Sequence, residues 1–455
     1  MTQEELNSLD FNVKSLGKCR VQSPLHLSKI IGDDIYDYVS DDDRILYDGS
    51  LKRLKEYKDT GRNPVSFEKA GPREFLFFDP TKTKVAIVTC GGLCPGLNNV
   101  IRGLVMQLNR RYKVFNVIGI KYGFRGFIPK YELSYEPLTA DIVDRIHLQG
   151  GSFLGSSRGP QAAEDIVDML QQQNINILFC IGGDGTLRAT QSIADEIEKR
   201  GLKIAVGGIP KTIDNDISFI DKSFGFETAF SIASDIVINA HNEAKGAFNG
   251  IAMIKLMGRD SGFIAANTAL ATGEANFVLI PEIKFDLYGK NGFITLLAER
   301  LKKRHHALII VAEGAGQFLF NTENQERDAS GNVKYQDIGV FLKDKISEEF
   351  KRIGLHHSIK YIDPSYIIRS SPANSNDSKF CNLLAQNAVH AAMSGKTAFV
   401  VGHWNGSFTI LPIQAAVKER KRINLESELW WNVLETTSQP TKMLNDQDAE
   451  AENNA

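Results

Sequence analysis

Residues 175–186 read INILFCIGGDGT, and this stretch decides the fold. Residues 175–181 are apolar at almost every position, without the polar alternation of a half-exposed strand, which predicts a strand buried on both faces. The run stops at Gly182-Gly183-Asp184-Gly185-Thr186, and residues 187–200 then read as a helix and 203–207 as a strand. Working outward, residues 162–173 read as a helix. Residues 85–89 form an apolar, β-branched run, followed by a Gly-rich turn and a helical stretch to Arg110, and 116–120 is a further short strand. Near-continuous apolar strands alternating with helices predict parallel sheet covered on both faces, an α/β fold of the doubly wound kind.

The rhythm restarts after Phe226. A helical stretch runs to about Ala244, and strands are expected at 251–256, 277–280 and 307–312 with helices between. The expected organisation is two doubly wound, Rossmann-like lobes with an N-terminal extension. Residues 1–82, rich in Asp, Lys, Tyr and Ser, form the extension. Residues 83–226 with about 368–418 form one lobe and 227–367 the other. Residues 419–455 form a C-terminal segment ending in an acidic tail.

Composition narrows the function classes. With 455 residues the chain has room for two cored lobes. Lys and Arg number 53 against 55 Asp and Glu, a formal net charge of −2, which argues against a polycationic nucleic-acid binder. No apolar run approaches the ~18 residues of a membrane span. The opening MTQEELNSLD is acidic and polar, unlike a signal peptide, so a cytoplasmic protein is expected. Five cysteines at 19, 90, 94, 180 and 381, with no CxxC, read as reduced thiols.

In open α/β sheets ligands bind at the carboxyl ends of strands, and the informative segments lie there. Gly91-Gly92-Leu93-Cys94-Pro95-Gly96 offers backbone amides and a helix N-terminus to a phosphate, although its spacing fits neither GxGxxG nor the Walker pattern. GGDGT sets Asp184 among small residues, where a carboxylate beside nucleotide phosphates typically holds Mg²⁺. The motif also occurs in NAD kinases and lipid kinases, so it indicates phosphoryl transfer more than a substrate. Pro210-Lys211-Thr212-Ile213-Asp214-Asn215-Asp216 crowds two carboxylates and a cation at one strand end, suited to a general base beside a charge-stabilising Lys. Met257-Gly258-Arg259-Asp260-Ser261-Gly262 presents an Arg fork to an anion. Glu313-Gly314 can accept hydrogen bonds from sugar hydroxyls, and Lys360 and Arg369 flank Tyr361 and Tyr366 in a segment suited to a phosphate monoester.

Taken together and in this order, these segments closely resemble the 6-phosphofructokinase family, from about Lys84 to about Gln414. The wording of PKTIDND and YIDPSYIIR resembles the branch that holds pyrophosphate-dependent enzymes and the ATP-dependent plant and trypanosomatid enzymes. The resemblance implies phosphorylation of D-fructose 6-phosphate at O1 to fructose 1,6-bisphosphate. It makes Asp214 the catalytic base, aided by Lys211, Thr212 and Arg259, and Asp184 the Mg²⁺ ligand. It assigns Gly92, Tyr122, Arg158, Gly159, Gly183, Asp184, Gly185 and Thr186 to ATP. It assigns Thr212, Ile213, Asp214, Met257, Gly258, Arg259, Glu313, Lys360, Tyr366, Ile367, Ile368 and Arg369 to the sugar phosphate. It further implies an allosteric homo-oligomer, a tetramer or dimer, with no nucleic-acid or membrane partner.

Gly250 stands where bacterial members carry a phosphate-binding Arg from a neighbouring subunit, so that part of the site departs from the family pattern. In this family the chain crosses between lobes more than once, and the segment near Arg369 is expected to return to the first lobe. The donor reading is divided. Pyrophosphate users share Lys211 but carry Asp at the position of Gly185, where a carboxylate would crowd and repel the α-phosphate of ATP. ATP is the expected donor and pyrophosphate the alternative. A Rossmann dehydrogenase lacks support because GxGxxG is missing. A silent regulatory subunit is disfavoured by the intact Asp184, Asp214 and Arg259.

Overall fold

The computed structural model describes residues 3–30, 32–320, 326 and 333–445. The end of the acidic tail, residues 446–455, lies outside the described residues. The chain divides into two compact units. Unit 1 comprises residues 1–212, 217–225 and 370–420; unit 2 comprises 213–216, 226–369 and 421–455.

Among the described residues, unit 1 is built on a nine-stranded sheet. Its centre is parallel, in the order Phe399–Trp404, Ala205–Pro210, Ile177–Gly182, Lys84–Thr89, Asn116–Ile120. The buried strand predicted at 175–181 is the middle one, and each of its six residues is buried. From Lys84–Thr89 the chain steps to Asn116–Ile120 on one side, then returns to Ile177–Gly182 on the other. The winding direction therefore reverses between Lys84–Thr89 and Ile177–Gly182, and such a switch point opens a crevice at the carboxyl ends. Both Gly-rich motifs emerge from this pair of strands.

Several boundaries differ from the sequence reading. The strand expected at 203–207 runs Ala205–Pro210, because parallel pairing with Ile177–Gly182 carries the ladder on through Gly207, Gly208 and Pro210. The helix expected from 187 starts at Asp184, so Gly185 and Thr186 sit in its first turn. The helix Leu97–Met106 widens into a π-turn over Gln107–Tyr112 before it stops at Lys113.

Residues before 82 do more than cover a core. Arg44–Leu46 and Ser66–Lys69 extend the sheet beyond the antiparallel hairpin Phe399–Trp404/Ser407–Pro412. Phe11 and Phe67 pack edge-to-face at 5.0 Å, and both also pack against Phe219. All five cysteines are free, four of them buried.

Unit 2 carries a four-stranded parallel sheet, ordered Phe277–Leu279, His306–Ala312, Gly250–Leu256, Ser358–Ile362. The strand Ser358–Ile362 has no counterpart in the sequence reading, which takes residues 360–369 only as a segment bearing two cations. The helix Phe226–Lys245 precedes Gly250–Leu256, and a core including Met253, Phe293, Ile309 and Phe350 fills the sheet's other face. The carboxyl ends of three adjacent strands release Met257–Arg259, Glu313 and Asp363 side by side.

Candidate active site

In unit 1 the phosphate-type residues gather at the switch point. The turn after Thr89 is tied to residues 156–158: Gly91 N donates to Ser157 O at 3.0 Å, and Ser156 Oγ donates to Gly91 O at 2.6 Å. This brings the exposed Arg158 over Gly92, where a Cβ would stand 3.3 Å from the guanidinium. Gly159 follows with φ +98° and turns the chain. Lys211 N donates to Gly182 O at 2.9 Å, which holds Lys211 beside GGDGT. Its buried side chain brings Nζ to 3.5 Å from a Cβ built at Gly91. Tyr122, at φ +56° and 52% exposed, lies against Gly155 on the neighbouring loop.

Asp184 heads the helix Asp184–Lys199, where the partial positive charge of the helix end favours an anion. Arg188 Nε, one turn on, lies 3.2 Å from its Oδ2, and Arg420 Nη2 lies 3.8 Å away. Thr186 is buried and Gly183 partly so. Gly185 is exposed, its φ is outside the left-handed region, and a Cβ there would meet nothing within 4 Å. Neither backbone geometry nor packing calls for glycine at this position. Among the described residues no group of three or more His, Cys, Asp or Glu could hold a metal by itself. Asp184 thus fits an ion such as Mg²⁺ only in the manner of kinase sites, one carboxylate completed by donor phosphates and water.

In unit 2 a second cluster forms around Asp214. Ser261 Oγ donates to Asp214 O at 3.1 Å, and the Arg259 backbone N–H donates to its carboxylate. Oδ1 of Asp214 is withdrawn from solvent. Burial, with repulsion from Asp216 and Glu313, pushes its pKa up to about 7, against the pull of Arg369. Burial also raises Glu313, while Arg369, Lys255 and Arg259 oppose the rise. Asp214, Glu313, Arg259 and Arg369 thus form one electrostatic group.

Two loops are locked behind that group. Glu313 N donates to Leu256 O at 2.9 Å and Gly314 N to Gly258 O at 3.1 Å. A Cβ on Gly314 would fall 1.8 Å from the Arg259 carbonyl oxygen, so only glycine allows this approach. Gly314→Ala is expected to displace the Arg259 loop, destabilise the protein by ~1–3 kcal/mol and lower activity. Thermal unfolding and kinetics check it; wild-type values in both would show that the loops need not touch.

Arg259 rests on the Tyr335 ring at 4.6 Å and donates to Val333 O. Arg369 rides on the short helix Ser365–Ser370, whose start is capped by Asp363 accepting from Ser365 N at 3.1 Å. Tyr366 and Ile367 on that helix are exposed. Met257, Ile368 and Ile213, also assigned to the sugar phosphate, have buried side chains. Thr212 O accepts from Ser223 Oγ, and Thr212 ends its stretch of unit 1.

Lys360 is a larger correction. It pairs with Ala252 in the middle of the sheet, four residues short of Leu256 and therefore ~13 Å below the carboxyl end at ~3.3 Å per residue. Its ammonium lies 3.6 Å from Glu243 near the far end of the helix Phe226–Lys245. It does not join the Asp214 group of its own chain.

Sequence reasoning also passed over Lys255. This Lys in an otherwise apolar strand pairs with Asp337 at 2.7 Å and Asp363 at 3.0 Å. Burial alone would lower its pKa, but those two hydrogen bonds raise it on balance. A lone charge within IAMIKLM was the available signal.

The carboxylate of Asp214 can take a proton only when ionised. With its pKa near 7, kcat/KM is expected to rise with pH through about 7 and to lose that step in Asp214→Asn. Stability follows the opposite course. Between the ordinary Asp value and 7 the folded state holds a proton that the unfolded chain has released, so stability falls as pH rises through this window. Asp214→Asn should therefore unfold at a higher temperature than wild type at pH 8, with the gap closing toward pH 4. Equal melting temperatures at both pH values would contradict this burial of the carboxyl group.

The phosphofructokinase family model matches residues 84–392. An ATP-dependent 6-phosphofructokinase of Borreliella burgdorferi is 48% identical over 444 residues, covering 96% of this chain and 98% of that protein. Proteins of the same name from Amycolatopsis methanolica and Entamoeba histolytica are 43% and 44% identical, covering 95% and 90% of this chain and 95% and 94% of theirs. The crystal structure of a pyrophosphate-dependent phosphofructokinase from Marinobacter aquaeolei shares the fold, with a TM-score of 0.65 at 18% identity over 78% of this chain and 91% of that one. Motif order, site geometry and near full-length similarity agree: the chain belongs to the phosphofructokinase family.

Proposed function

We propose that this protein is an ATP-dependent 6-phosphofructokinase. It transfers the γ-phosphoryl group of ATP to O1 of fructose 6-phosphate, giving fructose 1,6-bisphosphate and ADP. The observation that carries this reading is the Asp214 group, a buried carboxyl with pKa near 7 held among Arg259, Glu313 and Arg369. A base poised near neutrality suits abstraction of a hydroxyl proton. The Asp214 carboxylate takes the proton from the sugar O1 as that oxygen attacks the γ-phosphorus. The bond from γ-phosphorus to the bridging oxygen breaks, and the electron pair leaves with ADP. Arg259 balances charge on the transferring group, and Glu313 orients sugar hydroxyls. Arg369 binds the 6-phosphate beside Tyr366.

On the donor side, Arg158 and the amides after Gly91 and Gly183 bind phosphate oxygens. Asp184 would hold Mg²⁺ together with those oxygens, and the ion would supply neutralisation of donor charge. Most of the rate enhancement in such transfers comes from positioning and electrostatics, which is what these residues offer. The open space over Gly185 supports a whole nucleotide as donor. One observation favours the second reading, pyrophosphate: Lys211 Nζ reaches toward Gly91 and can replace charge that a nucleotide complex otherwise brings.

The protein acts in the cytoplasm as a homo-oligomer. No described helix is long and apolar enough to cross a membrane. Lys360, paired with Glu243 away from its own Asp214, can contact a sugar phosphate only at a second copy's site. The test of the function is product identity. Incubation with fructose 6-phosphate, ATP and Mg²⁺ should yield a bisphosphate with a second phosphate-ester signal by ³¹P NMR. ATP hydrolysis without that ester would refute it.

A further inference from the structure

Residues 333–337, just before the helix Ile338–Arg352, are bonded to all three strand ends that release site residues in unit 2. Asp337 accepts from Lys255 at 2.7 Å and from the Tyr361 hydroxyl at 2.9 Å, and caps the helix by accepting from Val340 N at 3.1 Å. Gln317 donates to the Glu313 carbonyl at 2.9 Å and to the Gln336 carbonyl at 3.0 Å, and accepts from Gln336 N at 3.2 Å. Val333 O accepts from the Arg259 guanidinium. None of these five residues belongs to a motif read from the sequence.

Tyr335 lies at the middle of this strap and is half-buried. Its ring centroid is 4.6 Å from the Arg259 guanidinium carbon. Its hydroxyl donates to Asp260 Oδ1 at 2.9 Å, and the other oxygen of that carboxylate lies 3.9 Å from Arg259 Nε. The guanidinium is therefore held on three sides: its face by the ring, Nη2 by a carbonyl, and the Nε edge by a carboxylate that the same tyrosine orients. An unrestrained arginine stem samples many rotamers, and rotamers excluded in advance are entropy not lost when charge develops on the substrate. A cation fixed in place beforehand stabilises that charge without reorganising during the reaction.

We propose that Tyr335 is a positioning residue for phosphoryl transfer, holding Arg259 directly with its ring and through Asp260 with its hydroxyl. It touches no reacting atom itself. The inference rests on the kinase reading above and extends it to a residue outside the family motifs.

The experiment measures kcat and KM for fructose 6-phosphate in wild type, Tyr335→Leu, Tyr335→Phe, Arg259→Gln and the double variant Tyr335→Leu/Arg259→Gln. Each is assayed below its own melting temperature. Tyr335→Leu should lower kcat ~10-fold, the scale of one cation–π contact with one hydrogen bond, while KM moves less than ~3-fold. Tyr335→Phe, which keeps the ring, should stay within ~3-fold of wild type. In the Arg259→Gln background Tyr335→Leu should cost no more than a further ~2-fold, because the group it positions is gone. A purely structural tyrosine would cost the same factor in both backgrounds. Should Tyr335→Leu not fold, Tyr335→Gln takes its place at this half-exposed position. No bisphosphate from wild type would overturn the kinase reading and the proposal with it. With an active wild type, three results would overturn the proposal alone: unchanged kcat in Tyr335→Leu, Tyr335→Phe falling as far as Tyr335→Leu, or an undiminished loss in the Arg259→Gln background.

Discussion

Replacing Asp214 with Asn is expected to lower kcat by a factor of ~10² to 10⁴, the range for a lost general base. The substitution keeps size and shape, and the Arg259 backbone N–H and Ser261 hydroxyl still find acceptors at residue 214. It also removes a buried carboxyl whose ionisation burial and two neighbouring acids resist, so the variant should fold at least as well as wild type. KM for fructose 6-phosphate should change little, since the sugar is held chiefly by Arg369, Glu313 and Arg259. A large fall in kcat with intact folding and near-constant KM separates a proton acceptor from a scaffold residue. Near-normal kcat would remove Asp214 from the chemistry.

Gly185→Asp should cut kcat/KM for ATP by roughly 10² to 10³. A like charge ~4 Å away costs ~4 kcal/mol at an effective dielectric of ~20. The site can accept the change structurally. Gly185 has a φ open to any residue, and its Cβ would meet nothing within 4 Å. A carboxylate in the first turn of the helix Asp184–Lys199 is favoured by the helix dipole, and removing a helical glycine gains ~0.5–1 kcal/mol. The melting temperature should therefore hold or rise while ATP use collapses. Unchanged ATP kinetics would mean that the space over Gly185 is not where the donor lies.

Much of this was legible because the chemistry sits where periodicity changes. INILFCI announces a doubly buried strand, and the motif behind it must lie at that strand's carboxyl end. The same logic placed GGLCPG, MGRDSG and Glu313. What stayed hidden depends on tertiary contact. Residues 213–216 belong to unit 2 although they follow directly on a unit 1 strand, and no local pattern encodes that. Lys360 and Arg369 are nine residues apart in sequence, but a strand and a helix between them send the side chains to different regions of unit 2. The N-terminal strands are only two to four residues long, too short for an alternating pattern to register. The hairpin around Asn405-Gly406 carried a legible Asn-Gly turn signal that the sequence reading did not use.

The central claim, a nucleotide-dependent transfer to fructose 6-phosphate governed by Gly185 and Asp214, meets its most direct test in one paired assay. Fructose 6-phosphate and Mg²⁺ are supplied with ATP in one arm and pyrophosphate in the other, and fructose 1,6-bisphosphate is measured by a coupled reaction. Bisphosphate formation with ATP and none with pyrophosphate is the predicted result. Formation with pyrophosphate alone would contradict it and give the donor choice to Lys211.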